Sequence, residues 1–114
     1  MYAANRLDEA EPLLRRALEM RERSCGPDHP QVATALNNLA ALLRDSNRPG
    51  EAEPLAWRGL QILVEFQLRT GHVHPHLLDF VHNYGGILEA MGKTPAQVEQ
   101  RWSELIPPLS PEVS

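Results

Sequence analysis

The sequence predicts an all-α protein, a right-handed solenoid of antiparallel helix pairs with about five helices. Leu and Ala dominate the apolar residues and only 5% of residues are aromatic, which favours helix over sheet. The chain also repeats itself: residues 5–13 read NRLDEAEPL and residues 47–55 read NRPGEAEPL, identical at seven of nine positions. A repeat of 42 residues is typical of stacked helix pairs.

Apolar residues recur at the i, i+3, i+4 and i+7 spacing of a helix, as in Val32, Leu36, Leu39, Ala40 and Leu43. The first helix is expected to stop at Cys25-Gly26-Pro27, and the second at Asn47 with Pro49-Gly50. We therefore predict helices over residues 6–24, 31–46, 50–69, 76–91 and 95–106.

Proline positions support these helix starts. Pro30 follows Asp28-His29 and is expected in the first turn of the second helix, where no backbone donor is needed. Pro12 and Pro54 are each expected in the first turn of their own helices for the same reason.

A second pairing defines the repeat boundaries. His29-Pro30 recurs as His74-Pro75, and Trp57 as Trp102, both 45 residues later. The domain over residues 1–106 is thus predicted to hold a half repeat (1–26), a full repeat (27–69) and a diverged repeat (70–106). The tail over residues 107–114 has three prolines and no core pattern, so we expect it to be flexible.

Charge and cysteine usage narrow the function classes. The net charge of −4 disfavours nucleic-acid binding, which needs a basic patch. The sequence has no stretch of about 18 apolar residues, so no membrane-spanning helix is expected. Cys25 is the single cysteine, so an internal disulfide is excluded and a cytoplasmic location is expected.

Residues 28–62 read DHPQVATALNNLAALLRDSNRPGEAEPLAWRGLQI and resemble one unit of the tetratricopeptide repeats, in the 42-residue form found in kinesin light chains. The resemblance covers residues 5–106 and implies a protein-binding solenoid. The chain opens near the end of a first helix, so we expect it to be the C-terminal piece of a longer array. Gly59 stands where the family has Ala at a close helix contact, and Gln97 where a buried Ala is usual.

The resemblance also implies which residues line the concave face. Asparagine suits that face because its amide both donates and accepts hydrogen bonds to a peptide backbone. Small residues such as Ala41 and Gly86 would leave space for a ligand. The positions implied as a peptide-binding groove are Thr34, Asn37, Asn38, Ala41, Arg44, Asp79, His82, Asn83 and Glu89.

Two alternatives bear on this groove. Asn37, Asn38 and Asn83 could instead bond to a neighbouring helix and fix the stacking of repeats, above all Asn38 and Asn83, which recur at one site. A Lys- and Arg-rich clamp for a peptide carboxylate, as in chaperone-binding members of the family, is disfavoured because Asp79 and Glu89 accompany Arg44.

The sequence does not indicate an enzymatic or a metal-binding function. The sequence has no phosphate-binding loop, no G-x-S-x-G and no H-E-x-x-H. Cys25 and His29 lack a third orienting group, and Glu9 and Glu11 read as solvated charges. His72, His74 and His76 form a turn without a standard ligand spacing, so we expect a polar loop, no metal and no cofactor.

Three further expectations concern surfaces. Trp57 and Trp102 fall on second helices, so each either packs on an adjacent helix or contacts another chain. The first helix lacks a partner in its repeat, so Leu7, Leu14 or Leu18 would be uncovered and the chain would self-associate. The last helix, with exposed Gln100, Arg101 and Glu104, would act as a polar cap.

The sequence thus favours a non-enzymatic scaffold that binds a peptide or extended protein segment. The alternative is a structural spacer or oligomerisation element of a larger multi-repeat protein.

Overall fold

The computed structural model describes residues 4–105, with side chains from residue 9 onward, as five helices and no strand. They are α1 (Ala4–Cys25), α2 (Pro30–Asp45), α3 (Pro49–Thr70), α4 (Leu77–Ala90) and α5 (Pro95–Leu105). All five predicted helices are confirmed within two residues at each end. The tail over 107–114 and the Leu7 side chain lie outside the described parts. No helix within residues 4–105 is both long and apolar enough to span a membrane.

Helices α1 to α4 pack side by side in chain order, α4 also touches α2, and α5 packs on α3. This stacking of neighbours confirms the predicted all-α helical repeat. The core lies between α2, α3 and α4, where Leu36, Leu43, Leu60 and Ile87 are fully buried. Of the residues predicted to be uncovered on α1, Leu18 is buried and Leu14 is half-buried, so the prediction is wrong for Leu18. Among the α1 residues whose side chains are described, Leu13 and Met20 are the large apolar ones that are exposed.

The helix ends follow the chemistry of their turns. Gly26 and Asn47 adopt positive φ after α1 and α2, which closes each helix with a left-handed residue. His29 precedes α2, and its Nδ1 accepts a hydrogen bond from the Gln31 backbone amide at 3.0 Å. Pro30 is the first residue of α2, as predicted.

Pro12 and Pro54 depart from their predicted positions. Both lie inside a helix, because α1 begins eight residues before Pro12 and α3 begins at Pro49, five residues before Pro54. Proline has no backbone N–H, so in each case the carbonyl four residues earlier lacks its intrahelical donor. For Pro54 this is the carbonyl of Gly50. Both prolines are exposed, so water can reach that side of the helix.

An ion-pair cluster fastens α1 to the turn between α2 and α3. Arg48 contacts Glu11 at 2.6 Å and Glu51 at 2.8 Å, and Arg15 contacts Glu11 at 3.0 Å. The hydrogen bond from Arg48 lowers the pKa of Glu11 below its ordinary value. Glu11 is thus half-buried and paired, and not the solvated charge that the sequence suggested.

Candidate functional site

The outward face of α2 forms the floor of a groove between α1 and α4. On the α4 side, a cavity of about 210 Å³ lies between α2 and α4. On the α1 side a smaller cavity of about 70 Å³ shares Thr34 and Asn38 with it. We use "the groove" for the first cavity, which is lined by Thr34, Asn37, Asn38, His76, Asp79 and Phe80.

Asn38 lies at the centre of this surface, because it lines both cavities. Its side chain is exposed and forms no hydrogen bond with any group in the described part of the chain. Its amide therefore presents one acceptor and two donor hydrogens toward the groove. Thr34, one turn earlier, donates its hydroxyl to the Pro30 carbonyl at 3.3 Å.

Asn83 has a different environment, since it is only 9% exposed. Its Nδ2 donates to Asn37 Oδ1 at 2.7 Å, and its Oδ1 accepts from Arg44 Nη1 at 2.9 Å. This chain of hydrogen bonds ties α4 to α2. Asn83 and the Asn37 carbonyl thus bond between neighbouring helices, as the stacking alternative proposed. Asn38 instead faces the groove.

The space expected over Gly86 is occupied. A Cβ added at Gly86 would lie 3.1 Å from Arg44 Nη1, because the guanidinium passes across this glycine to reach Asn83. Arg44 also contacts Asp45 at 3.5 Å. Gly86 therefore accommodates Arg44, and not a ligand as the sequence suggested, while Ala41 is half-exposed.

The α4 residues predicted for the groove separate into two groups. Asp79 is exposed, lines the groove and approaches His76 Nδ1 at 3.5 Å. His82 and Glu89 are exposed on the same helix but do not line the groove. Asp79 gives this edge of the groove a carboxylate, which favours ligands with a cationic or amide donor group.

Replacing Asn83 with Ala is expected to lower the free energy of unfolding by about 1–3 kcal/mol, because the Asn37 carbonyl and the Arg44 guanidinium lose a buried partner. Asn38→Ala is the matched control and should change it by about 0.5 kcal/mol or less, since Asn38 has no partner in the described chain. Urea unfolding monitored by circular dichroism measures both. Equal losses would contradict the distinct roles of the two residues.

The two tryptophans meet around a buried tyrosine. Trp57 and Trp102 each lie with their ring centroid 5.4 Å from that of Tyr84, and both are half-buried. They therefore pack on adjacent helices, and contact with another chain stays a prediction. Arg101 extends into the same cluster and is half-buried, so the expectation that it is exposed is wrong.

A hydrogen bond between two histidines stabilises the turn between α3 and α4. His74 Nδ1 accepts from the His76 backbone amide at 3.2 Å, as His29 does before α2. Phe66 packs edge-on against the His74 ring, with centroids 5.6 Å apart. Within the described residues no three His, Cys, Asp or Glu side chains gather closely enough to hold a metal ion.

His74 is expected to make stability pH-dependent. Burial, and secondly the neighbouring His76, lower the pKa of His74 below its ordinary value. The neutral ring is thus favoured in the folded state, so its contribution is complete above about pH 6.5 and is lost as the pH falls through the lowered pKa. Guanidinium unfolding between pH 7.5 and 5 should show this loss. His74→Asn keeps an oxygen that can accept from the His76 amide and should remove that part of the pH dependence. An unchanged profile would exclude His74 as its source.

The Cys25 thiol takes part in contacts at the turn between α1 and α2. It is half-buried, and its thiol donates to Gln31 Oε1 at 3.4 Å. His29 uses its Nδ1 for the α2 cap. The two side chains thus serve the turn between α1 and α2.

Comparison with known proteins places this fold in a family. The family model described as "Tetratricopeptide repeat" matches residues 1–63, more than half of the chain. Nephrocystin-3 of Xenopus laevis is 49% identical over 49 residues, and nephrocystin-3 of Xenopus tropicalis 45% identical over 49 residues. Each alignment covers 43% of this chain and 4% of the relative, so the chain spans a small fraction of the length of these relatives.

Proposed function

The chain belongs to the tetratricopeptide repeat family, and we propose that it is a non-enzymatic scaffold that binds an extended protein segment in the groove. Repeats of this family mediate interactions between proteins. The groove residues named above fit an extended peptide, because they offer amide and hydroxyl groups along one helix face instead of a deep apolar pocket.

The proposal rests on the Asn38 side chain, which is exposed at the groove. A carboxamide that bonds to no described group, at the point shared by two cavities, can hold a peptide backbone through one donor and one acceptor at once. Asn37 contributes its amide hydrogens, since its oxygen is used by Asn83. Asp79 would select a segment with a Lys, Arg or amide side chain nearby.

Peptides selected from a random displayed library against the intact chain provide the test. A groove-binding peptide should bind Asn38→Ala at least about tenfold more weakly, as expected for the loss of a good hydrogen-bond pair. Gln61→Ala is the matched control, because it removes an exposed amide from α3. Peptides that bind both variants and the unmodified chain equally would contradict the proposal.

The second candidate function is an oligomerisation element, and the face of α1 favours it. Met20 is 61% exposed and Leu13 is 62% exposed. The 42-residue repeat pairs Met20 with Ile62, which is only 3% exposed, and Leu13 with Leu55, which is half-buried. A second copy could cover this face of α1.

Sedimentation equilibrium tests the second candidate. If a second copy covers α1, the mass should rise with concentration and Met20→Lys should return it to that of one chain. Met91→Lys is the control, since Met91 lies after α4 and is less exposed at 37%. A mass independent of concentration would exclude self-association.

A further inference from the structure

The surface around Asn38 carries one charge of each sign, on opposite sides of α2. Arg21 of α1 lines the cavity of about 70 Å³ together with Thr34 and Asn38. Asp79 of α4 lines the groove together with the same two residues of α2. A ligand that lies across α2 at Thr34 and Asn38 therefore has a guanidinium on one side and a carboxylate on the other.

Both charged groups are accessible to a ligand. Arg21 is exposed and donates to the Gln31 side-chain oxygen at 2.9 Å, and no carboxylate pairs with it among the side chains that the structure describes. The side chain of Asp79 is 75% exposed, although His76 Nδ1 approaches it at 3.5 Å. Charges that are not neutralised within the chain can pair with complementary charges of a partner.

Helix packing limits the distance between the two charges. Helices α1 and α4 both contact α2. The axes of packed helices lie about 8–10 Å apart, so those of α1 and α4 are at most about 20 Å apart. An extended chain rises about 3.3 Å per residue and covers that distance in about six residues. An acidic and a basic side chain within about six residues of each other can thus reach Arg21 and Asp79 together.

We propose that the groove recognises an extended segment with opposite charges at its two ends. An Asp or Glu of the segment lies beside Arg21, and a Lys or Arg within about six residues of it lies beside Asp79. This inference rests on the groove binding proposed above and adds the class of segment that is bound. Between the two charges the segment crosses Asn38, whose amide can hold its backbone whatever its side chains are.

The pair of charges also excludes segments. A segment with only acidic residues places a like charge beside Asp79, and one with only basic residues places a like charge beside Arg21. Like charges brought together at an interface weaken binding, so both kinds of segment are disfavoured.

The test uses library-selected peptides, synthesised with acetylated and amidated ends so that only side chains carry charge. They should share an acidic and a basic residue within about six positions. Arg21→Glu and Asp79→Lys should each weaken binding about threefold to tenfold, because an exposed ion pair becomes a repulsion. Both positions are exposed, so the fold should be retained, as circular dichroism can verify.

A charge exchange in the peptide separates direct pairing from an indirect effect of the substitution. The peptide with Lys in place of its acidic residue should regain most of the lost affinity for Arg21→Glu. It should not regain affinity for Asp79→Lys, because that variant gains no complementary charge at the acidic end of the peptide.

Arg23→Glu and Glu89→Lys are the matched controls. Arg23 is exposed on α1 and Glu89 on α4, and both lie outside the two cavities. They change the net charge of the chain as much as the test variants do. At physiological salt, charges more than about 10 Å from the peptide are screened, so the controls should leave its affinity within about twofold.

Two results would overturn this inference. The first is a set of peptides that are weakened by Asn38→Ala but bind Arg21→Glu, Asp79→Lys and the unmodified chain equally, which would leave groove binding intact and contradict the charge requirement. The second is an exchanged peptide that regains no affinity for Arg21→Glu. Peptides that are insensitive to Asn38→Ala would instead contradict groove binding itself, and this inference with it.

Discussion

Tyr84→Ala is expected to lower the free energy of unfolding by about 3–5 kcal/mol, the range for removing a large aromatic side chain from a core. Tyr84 is fully buried and packs against Trp57 and Trp102, so its ring joins α3, α4 and α5. Its loss leaves a cavity and also removes the hydroxyl that contacts Glu53 and Arg101.

Tyr84→Phe separates the ring from the hydroxyl. It should cost about 1 kcal/mol, because Arg101 and Glu53 still pair directly at 3.1 Å. Urea unfolding measures both variants. If Tyr84→Ala were no worse than Tyr84→Phe, the ring would not be what joins the three helices.

Gly59→Leu is expected to destabilise the chain by about 3 kcal/mol, at the upper end of the range for overpacking. A Cβ at Gly59 would lie 3.3 Å from the Ala33 carbonyl oxygen and 3.4 Å from Phe80 Cε2. A leucine side chain must therefore push α2 or α4 away from α3. Since Phe80 also lines the groove, the shift should alter groove binding as well.

Gly50→Leu is the matched control for this substitution. Gly50 lies in α3 like Gly59, yet a Cβ there meets nothing within 4 Å. The control should leave stability unchanged or raise it by about 0.8 kcal/mol through helix propensity. Thermal unfolding compares the two variants, and equal melting temperatures would contradict a tight contact at Gly59.

Local signals in the sequence were sufficient to predict the helices. Gly26 and Asn47 end helices because of their backbone preferences, and Pro30 begins one for the same reason. The reciprocal bonds between Thr94 and Gln97 at the start of α5 are a further local signal, a T-x-x-Q pattern on which our prediction of this helix did not rest. Such signals act within a few residues, so they do not depend on packing.

Local signals could not predict which of the two adjacent asparagines of α2 bonds to α4. Asn37 and Asn38 are adjacent and chemically identical, and only the position of α4 determines which one meets Asn83. The ion pair of Arg101 with Glu53 could not be predicted, because the two residues are 48 positions apart in the sequence. Long-range polar contacts of this kind leave no periodic pattern.

Binding in the groove is tested most directly by titrating the ¹⁵N-labelled chain with a library-selected peptide and recording nuclear magnetic resonance spectra. If the peptide binds there, the side-chain amide signals of Asn38 should shift, together with backbone signals of Thr34 and Asp79. Shifts confined to α5 and the Trp57 indole, with Asn38 unmoved, would contradict binding in the groove.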